Sequence, residues 1–420
     1  MSRTGPRRWN AQRWLVDDAI ASHGIEFDQN RLRYSLGPVR DETSAADIAI
    51  LRASITKLAD LTPAASVHAQ RHEDLARRLE NRGHPATAGV HWFTAAQLWL
   101  LAAYPIWDTT DELIELHRRK TDAFLRWAEV AGHIVEAVEI PALGGALPAY
   151  LHRPPPTGTP HPVVLACDGM DGGRESLVNR IGDEYLQNGF AVLAVDGPGQ
   201  SEAAVRGLFT SPENWVDAGT SILDWIAARP DLDADRVVAT GISFGSYFMS
   251  LVAATHPQVK GCAVALQCFE PGGNAIFEQA APSYKARHMW MAGFNNDEDA
   301  FDELVAGYDL RVPIAAMSSP WKVLGGEADE LCDKSWVYEM ADRCGAPASS
   351  LLYEGATHAL DGSPAPAVGP FFRTEIADWL ADRVDPAAAP AGSVHERVTR
   401  DGRVVPAGSP TPRPRMRSTR

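Results

Sequence analysis

One serine in this 420-residue chain sits among residues that would make it reactive. Residues 237–245 read Val-Val-Ala-Thr-Gly-Ile-Ser-Phe-Gly, and the apolar stretch continues to residue 255. An extended strand that runs through GxSxG into a helix makes a turn too tight for side chains on its flanks. That turn lifts the serine hydroxyl above the sheet edge. Ser243 is therefore the candidate nucleophile. A hydroxyl is a weak nucleophile until a base takes its proton. His358, at the end of Tyr353-Glu354-Gly355-Ala356-Thr357-His358, follows the last apolar run and is the candidate base. His288 falls in an aromatic segment and reads as a pocket or packing residue. His395 lies in a tail expected to be disordered. The acid that orients the imidazole should follow the penultimate strand. Residues 321–330 read Trp-Lys-Val-Leu-Gly-Gly-Glu-Ala-Asp-Glu, and Asp329 stands where the loop leaves the strand. Glu327, Glu330 and Asp333 compete with it.

Attack on a carbonyl creates an oxyanion that needs two backbone N–H donors. Phe244, directly after the nucleophile, supplies one. Met170 supplies the other, from the loop Asp168-Gly169-Met170-Asp171-Gly172-Gly173-Arg174-Glu175, whose glycines admit close approach. The Asp196-Gly197-Pro198-Gly199-Gln200-Ser201-Glu202 loop lacks nucleotide-binding spacing and reads as a structural turn at the rim. Candidate substrate contacts are Glu175, Gln97, Trp92, Phe269 and His288. Gln97 is included because a polar side chain in an apolar run needs a partner.

These residues need a scaffold. Apolar residues recur at helical spacing over 45–61, 67–81, 87–103 and 109–130. From residue 133 short β-rich runs appear at 135–140, 147–152, 163–167, 191–196, 236–240, 262–267, 321–324 and 350–353. Helical stretches at 175–188, 213–229, 244–255, 334–343 and 371–383 separate or follow them. Runs that are apolar throughout suit strands covered on both faces, hence a mostly parallel α/β sheet of eight strands. The first two, joined at Gly144-Gly145, read as an edge hairpin. The expected division is an N-terminal helical cap domain (1–132), a catalytic domain (133–385) with a cap-like insertion (269–312), and a disordered basic tail (386–420).

The net charge of −15 disfavours nucleic acid as the main partner. The five cysteines, an odd number without CxxC spacing, fit a reduced cytoplasmic protein better than a disulfide framework or metal site. Residues 1–12 show no apolar core of a signal peptide, and the longest apolar stretch, 95–107, is too short to span a bilayer. No cofactor or membrane partner is expected, and the partner is a small-molecule carbonyl substrate.

Together, Gly241–Gly245, Asp329 and His358 resemble the α/β-hydrolase superfamily. The 168–175 loop, DGPGQ at 196–200 and a helical domain before the sheet, with Gly83-His84, Thr87-Ala88, Ala95 and Ala102, are similar to one branch. That branch holds the fermentation-respiration switch esterases, the 2,6-dihydroxypseudooxynicotine hydrolase and fungal hydrolases that shorten polyketides for the melanin pathway. The resemblance spans about residues 80–380. It implies attack of Ser243 on a ketone, expulsion of a stabilised carbanion and hydrolysis of the acyl-enzyme, within a homodimer. Ester or lactone hydrolysis, or acyl transfer or cyclisation in a biosynthetic pathway, uses the same triad and stays open. A ligand-binding protein without activity would not need serine, histidine and acid together. Ser201 departs from the branch, where glycine is usual. Thr94 stands where arginine is common, and Glu270 and Glu278 have no fixed counterpart.

Overall fold

The computed structural model describes residues 8–27, 31–39, 42–180, 183–295 and 297–408. Helices α1 (Arg8–Gln12), α2 (Trp14–His23), α3 (Arg31–Leu36), α4 (Glu42–Ser54), α5 (Leu61–Glu80), α6 (Pro85–Ala103) and α7 (Asp111–Ala131) come first. The ends of α7 show how sequence sets them. The Thr110 hydroxyl accepts the Leu113 N–H, and Asp111 and Glu112 occupy the first turn, where the helix dipole favours acids. Gly132, at φ 65°, stops the helix in the left-handed region. Leu113, Leu116, Ala123, Phe124 and Trp127 recur at three- and four-residue spacing and are buried. Helix α6 lies between α5 and α7 and is buried on nearly every face from Trp92 onward.

Ten strands make one sheet in the order β1-β2-β4-β3-β5-β6-β7-β8-β9-β10. They are β1 (Val135–Ala142), β2 (Gly145–His152), β3 (His161–Cys167), β4 (Ala191–Val195), β5 (Leu232–Ile242), β6 (Val259–Ala265), β7 (Trp321–Gly326), β8 (Ala348–Tyr353), β9 (His395–Val398) and β10 (Val404–Pro406). The pairs from β4 through β3 to β9 are parallel; β1–β2, β2–β4 and β9–β10 are antiparallel. Leu143 and Gly144, at φ 53° and 74°, form the two-residue turn of the edge hairpin. Helices α8 (Glu184–Gln187), α9 (Ser201–Val205), α10 (Pro212–Ala227), α11 (Phe244–Thr255), α12 (Pro282–Met291), α13 (Glu298–Val305), α14 (Arg311–Ala315), α15 (Lys334–Arg343), α16 (Ala365–Val368) and α17 (Phe372–Val384) complete the chain. Strands β4, β6 and β8 are buried at almost every residue, which accounts for their unbroken apolar texture.

All eight expected runs are strands, and two more follow them. The tail is therefore not disordered between residues 395 and 406. Strand β9 pairs with β8 from Ser350↔His395 to Tyr353↔Val398, then turns back into β10. A short outer strand needs few apolar residues, and Val398, fully buried, supplies one. The Pro- and Ala-rich surroundings dilute that signal in any compositional average. His395, set aside as a tail residue, bonds the Ser350 hydroxyl through Nδ1 at 3.0 Å. Residues 409–420 of the expected tail lie outside the described residues.

The stretch 175–188 is not one helix. A 3-10 turn, Arg174–Ser176, is followed by the short α8, which Asp183 caps through the N–H groups of Tyr185 and Leu186. Glu175 points inward to an ion pair, so it cannot serve the exposed face of a regular helix. Among the described residues no helix is long and apolar enough to cross a membrane.

Candidate active site

Ser243 occupies the turn between β5 and α11 at φ 57° and ψ −125°, a conformation that costs a non-glycine residue about 1–3 kcal/mol. The flanks show why they must be glycine. A Cβ on Gly241 would stand 2.0 Å from the Gly245 carbonyl oxygen, and one on Gly245 would meet the Asp168 and Cys167 carbonyls at 2.7 and 2.8 Å. Gly169 faces Ser243 itself; a Cβ there would stand 2.8 Å from Ser243 Cβ.

The three residues selected from sequence meet at the carboxyl ends of the strands. Ser243 Oγ lies 2.9 Å from His358 Nε2, and His358 Nδ1 lies 2.8 Å from Asp329 Oδ2. The other Asp329 oxygen accepts the N–H groups of Leu331 and Cys332 at 2.8 and 3.0 Å, which fixes the carboxylate. Glu330, a competitor for the acid role, accepts the His358 backbone N–H instead, at 3.0 Å. Glu327 faces Lys334 at 3.4 Å, and Asp333 caps α15. Burial alone pushes the His358 pKa down. The Asp329 charge and hydrogen bond outweigh it, with Glu330 and Asp171 adding to them, so the net shift is upward.

Met170 and Phe244 border the same chamber as Ser243 and His358, together with Tyr34, Ile276 and Leu331. Its free volume is about 20 Å³, space for about one water molecule. The Met170 loop is tied down on all sides. Asp168 accepts the Gly169 N–H at 2.7 Å and the Ser176 hydroxyl at 2.5 Å, and Gln200 donates to the Asp168 carbonyl. Burial raises the Asp168 pKa against those hydrogen bonds. From α12, Arg287 Nε donates to the Met170 carbonyl at 3.0 Å.

The structure does not bring the other candidates to the Ser243 hydroxyl; each has other partners. The carboxylate of Glu175 is fully buried and pairs with Lys120 Nζ at 2.9 Å, while the Tyr150 hydroxyl donates to it at 3.1 Å. Gln97 donates to the Glu175 carbonyl at 2.9 Å, which identifies the partner its sequence position required. Trp92 donates its indole N–H to Glu80 and borders a separate polar cleft among α5, α6 and α7. Phe269 is buried, with its ring 5.3 Å from Trp321. His288 packs 4.6 Å from the Phe244 ring, with Nε2 3.1 Å from the Tyr308 hydroxyl; burial lowers its pKa to about 3, so it stays neutral. Glu270 accepts the Ala275 N–H at 2.6 Å, and Glu278 pairs with Lys285 at 3.0 Å. Ser201 adopts φ 40°, which explains why glycine suits that position, and its hydroxyl accepts from Lys120 Nζ at 3.1 Å. The 196–202 loop is thus part of the support for the Met170 loop. Asp196 accepts the Arg174 N–H at 2.8 Å, and burial raises its pKa to about 6 against the pull of Lys120 and Arg174.

Lys120, Tyr34 and Arg287 escaped the sequence reading. For Lys120 a signal existed, since position 120 falls on the buried stripe between Leu116 and Phe124. Helix α12 is buried all round, so periodicity could not single out Arg287. Among the described residues no His, Cys, Asp and Glu group is arranged to hold a metal ion.

Comparison with known proteins gives concordant results. The profile described as "Esterase FrsA-like" matches residues 70–292. Alpha/beta hydrolase ucsC of an Acremonium species is 31% identical over 216 residues, covering 46% of this chain and 44% of that protein. The 20-hydroxy-prefusarin hydrolase FUS2 of Gibberella moniliformis is 29% identical over 245 residues, covering 54% and 56%. The chain spans about half the length of these curated relatives. The crystal structure of 2,6-dihydroxy-pseudo-oxynicotine hydrolase superposes with a TM-score of 0.70 at 21% identity, covering 86% of this chain and 98% of that one. At that identity the likeness shows a shared fold.

Proposed function

The chain belongs to the FrsA-like esterase family of α/β hydrolases, and from that premise we propose a serine hydrolase that acts on a carbonyl compound through an acyl-enzyme. The preferred reaction is hydrolysis of the C–C bond beside the carbonyl of a β-diketone-like or aryl ketone. The observation that carries this reading is the unbroken hydrogen-bonded line from Ser243 through His358 to Asp329, at 2.9 and 2.8 Å. The C–C choice draws on the glycine-rich loops shared with the branch and on the fold likeness to 2,6-dihydroxy-pseudo-oxynicotine hydrolase. No cofactor enters this reading.

The reaction runs through acylation and deacylation of Ser243. His358 Nε2 takes the Ser243 proton as Oγ bonds to the substrate carbonyl carbon, and Asp329 stabilises the imidazolium. The N–H groups of Met170 and Phe244 receive the oxyanion. The tetrahedral adduct collapses, the C–C bond breaks, and its electron pair leaves as a carbanion stabilised as an enolate or in an electron-rich ring. That carbanion takes the proton from His358. A water molecule, deprotonated by His358, then attacks the acyl-Ser243 ester, and the imidazolium returns that proton to the departing Ser243 Oγ as the carboxylic acid is released. Helices α1–α7 and residues 269–312 act as the lid. An ester or lactone follows the same course with an alkoxide as leaving group, and the family's description as an esterase keeps this second reading.

Ser243→Ala should lower kcat by about 10⁶-fold. Turnover in ¹⁸O-water should place label in the released carboxylate. A loss under tenfold refutes the nucleophile, and an unlabelled carboxylate refutes hydrolysis of an acyl-enzyme.

A further inference from the structure

The chamber at Ser243, about 20 Å³, is far too small for an acyl or aryl group, so the body of any substrate must lie elsewhere. Tyr34 and Ala359 border this chamber on one side and a cleft of about 640 Å³ on the other. That volume is in the range of pockets that hold small organic ligands. The cleft reaches the nucleophile strand itself at Ile242, and Leu266, Tyr353, Leu360 and Phe372 give it an apolar wall. Two guanidinium groups, of Arg33 and Arg373, also border it. No carboxylate among the described residues lies within 4.0 Å of Arg373; its side chain makes a 3.5 Å contact to the Leu177 carbonyl and stands 5.7 Å from the Phe372 ring centroid, and its charge acts at longer range on Asp168 and Asp183. Asp361, the acid on the same wall, is engaged by the Thr357 hydroxyl.

An apolar cleft bordered by a guanidinium that no carboxylate bonds directly suits one class of ligand. A guanidinium matches a carboxylate or other flat oxyanion in charge and in donor geometry. The apolar wall takes the hydrocarbon or ring that separates the anion from the reacting carbonyl.

We infer that this cleft is the substrate-body site, with Arg373 selecting for carbonyl compounds that carry an anionic group on an apolar or aromatic body, and with Tyr34 as the side chain between body and reacting carbonyl. This rests on the serine hydrolase reading for the reaction, but the binding site is tested without it.

The binding test uses the full chain carrying Ser243→Ala and calorimetry with 6-phenylhexanoate and the matched neutral 6-phenylhexanamide. The carboxylate should bind at least tenfold tighter than the amide. Adding Arg373→Met should weaken carboxylate binding at least tenfold and amide binding less than threefold, and Arg373→Lys should restore part of the difference. In the parent chain the carboxylate should compete with fluorophosphonate labelling of Ser243. Equal affinity for the two probes, an Arg373→Met variant that keeps the preference, or binding that leaves labelling unaffected would each overturn the assignment. The hydrolase reading fails separately, when Ser243→Ala leaves ester turnover unchanged while carboxylate binding persists.

Discussion

Replacing Lys120 with methionine tests what holds the Met170 loop. The Lys120 and Glu175 side chains are both fully buried, with Nζ 2.9 Å from Oε2. Without the ammonium, the Glu175 carboxylate keeps the Tyr150 hydroxyl at 3.1 Å and Arg174 Nε at 3.4 Å. Removing one partner of a buried pair costs roughly 3–5 kcal/mol because the other charge is left without compensation. The two surviving contacts put the expected loss at the low end, about 3 kcal/mol. Glu175→Gln, which leaves the ammonium with the Ser201 hydroxyl and the more distant charges of Asp196 and Glu202, should cost about as much. The double variant Lys120→Met/Glu175→Gln buries no charge at either position, so it should lie within about 2 kcal/mol of the parent. Urea unfolding followed by tryptophan fluorescence, extrapolated linearly to water, measures all four proteins. Turnover of p-nitrophenyl butyrate reports on the loop: a displaced Met170 N–H should lower kcat by about 10²-fold, with KM changed less than threefold. If Lys120→Met costs under about 1 kcal/mol, or the double variant loses the sum of the singles, the pair is not coupled and the loop is held by other contacts.

Three further outcomes are expected. His358 must be neutral to accept the Ser243 proton, and its pKa is raised above the ordinary 6.5, so kcat/KM should climb with pH through a midpoint above that value. Asp329→Asn removes the charge that raises it; the midpoint should move down and kcat should fall about 10⁴-fold, and a midpoint that stays put would refute the assigned cause. Gly169→Ala sets a methyl 2.8 Å from Ser243 Cβ; hydrolysis should drop at least about tenfold with a stability loss of about 1–3 kcal/mol, whereas parental activity would mean the loop has room to spare. Truncation after Val384 removes β9 and β10 and leaves β8 as an open edge; a loss of several kcal/mol, or aggregation, should follow, and an unchanged urea midpoint would show that the hairpin adds nothing to the sheet.

The strands and the Ser243 turn are legible in the sequence for a common reason: each leaves a dense local mark. Interior strands are apolar throughout because both faces are covered, and Gly241 is required by Gly245, four residues on, although Gly245 itself answers to the distant Cys167 and Asp168 carbonyls. Asp329 and His358 are expected from the chain order of serine, acid and histidine and from their loops after the last two interior strands. What stayed hidden depends on contacts between distant segments. Glu175 looked like a substrate contact because nothing near it in sequence shows that Lys120, 55 positions earlier, neutralises it. Trp92 and Phe269 fill space that only the tertiary structure defines. The β9–β10 hairpin is short, and its partner strand supplies the order that its composition does not.

Five non-glycine residues among those described have positive φ: Leu143, Ser201, Ser243, Leu266 and Leu360. Leu143 turns a hairpin and Ser201 receives Lys120; Ser243 is the candidate nucleophile, and Leu266 and Leu360 border the cleft. At about 1 kcal/mol each or more, they concentrate strain at one end of the sheet, where the rest of the molecule must hold them. Stability and chemistry therefore compete at these positions. Glycine at 266 or 360 should make the chain more robust while loosening the wall of the cleft, and selection for thermal tolerance alone would erode this rim before it touched the core.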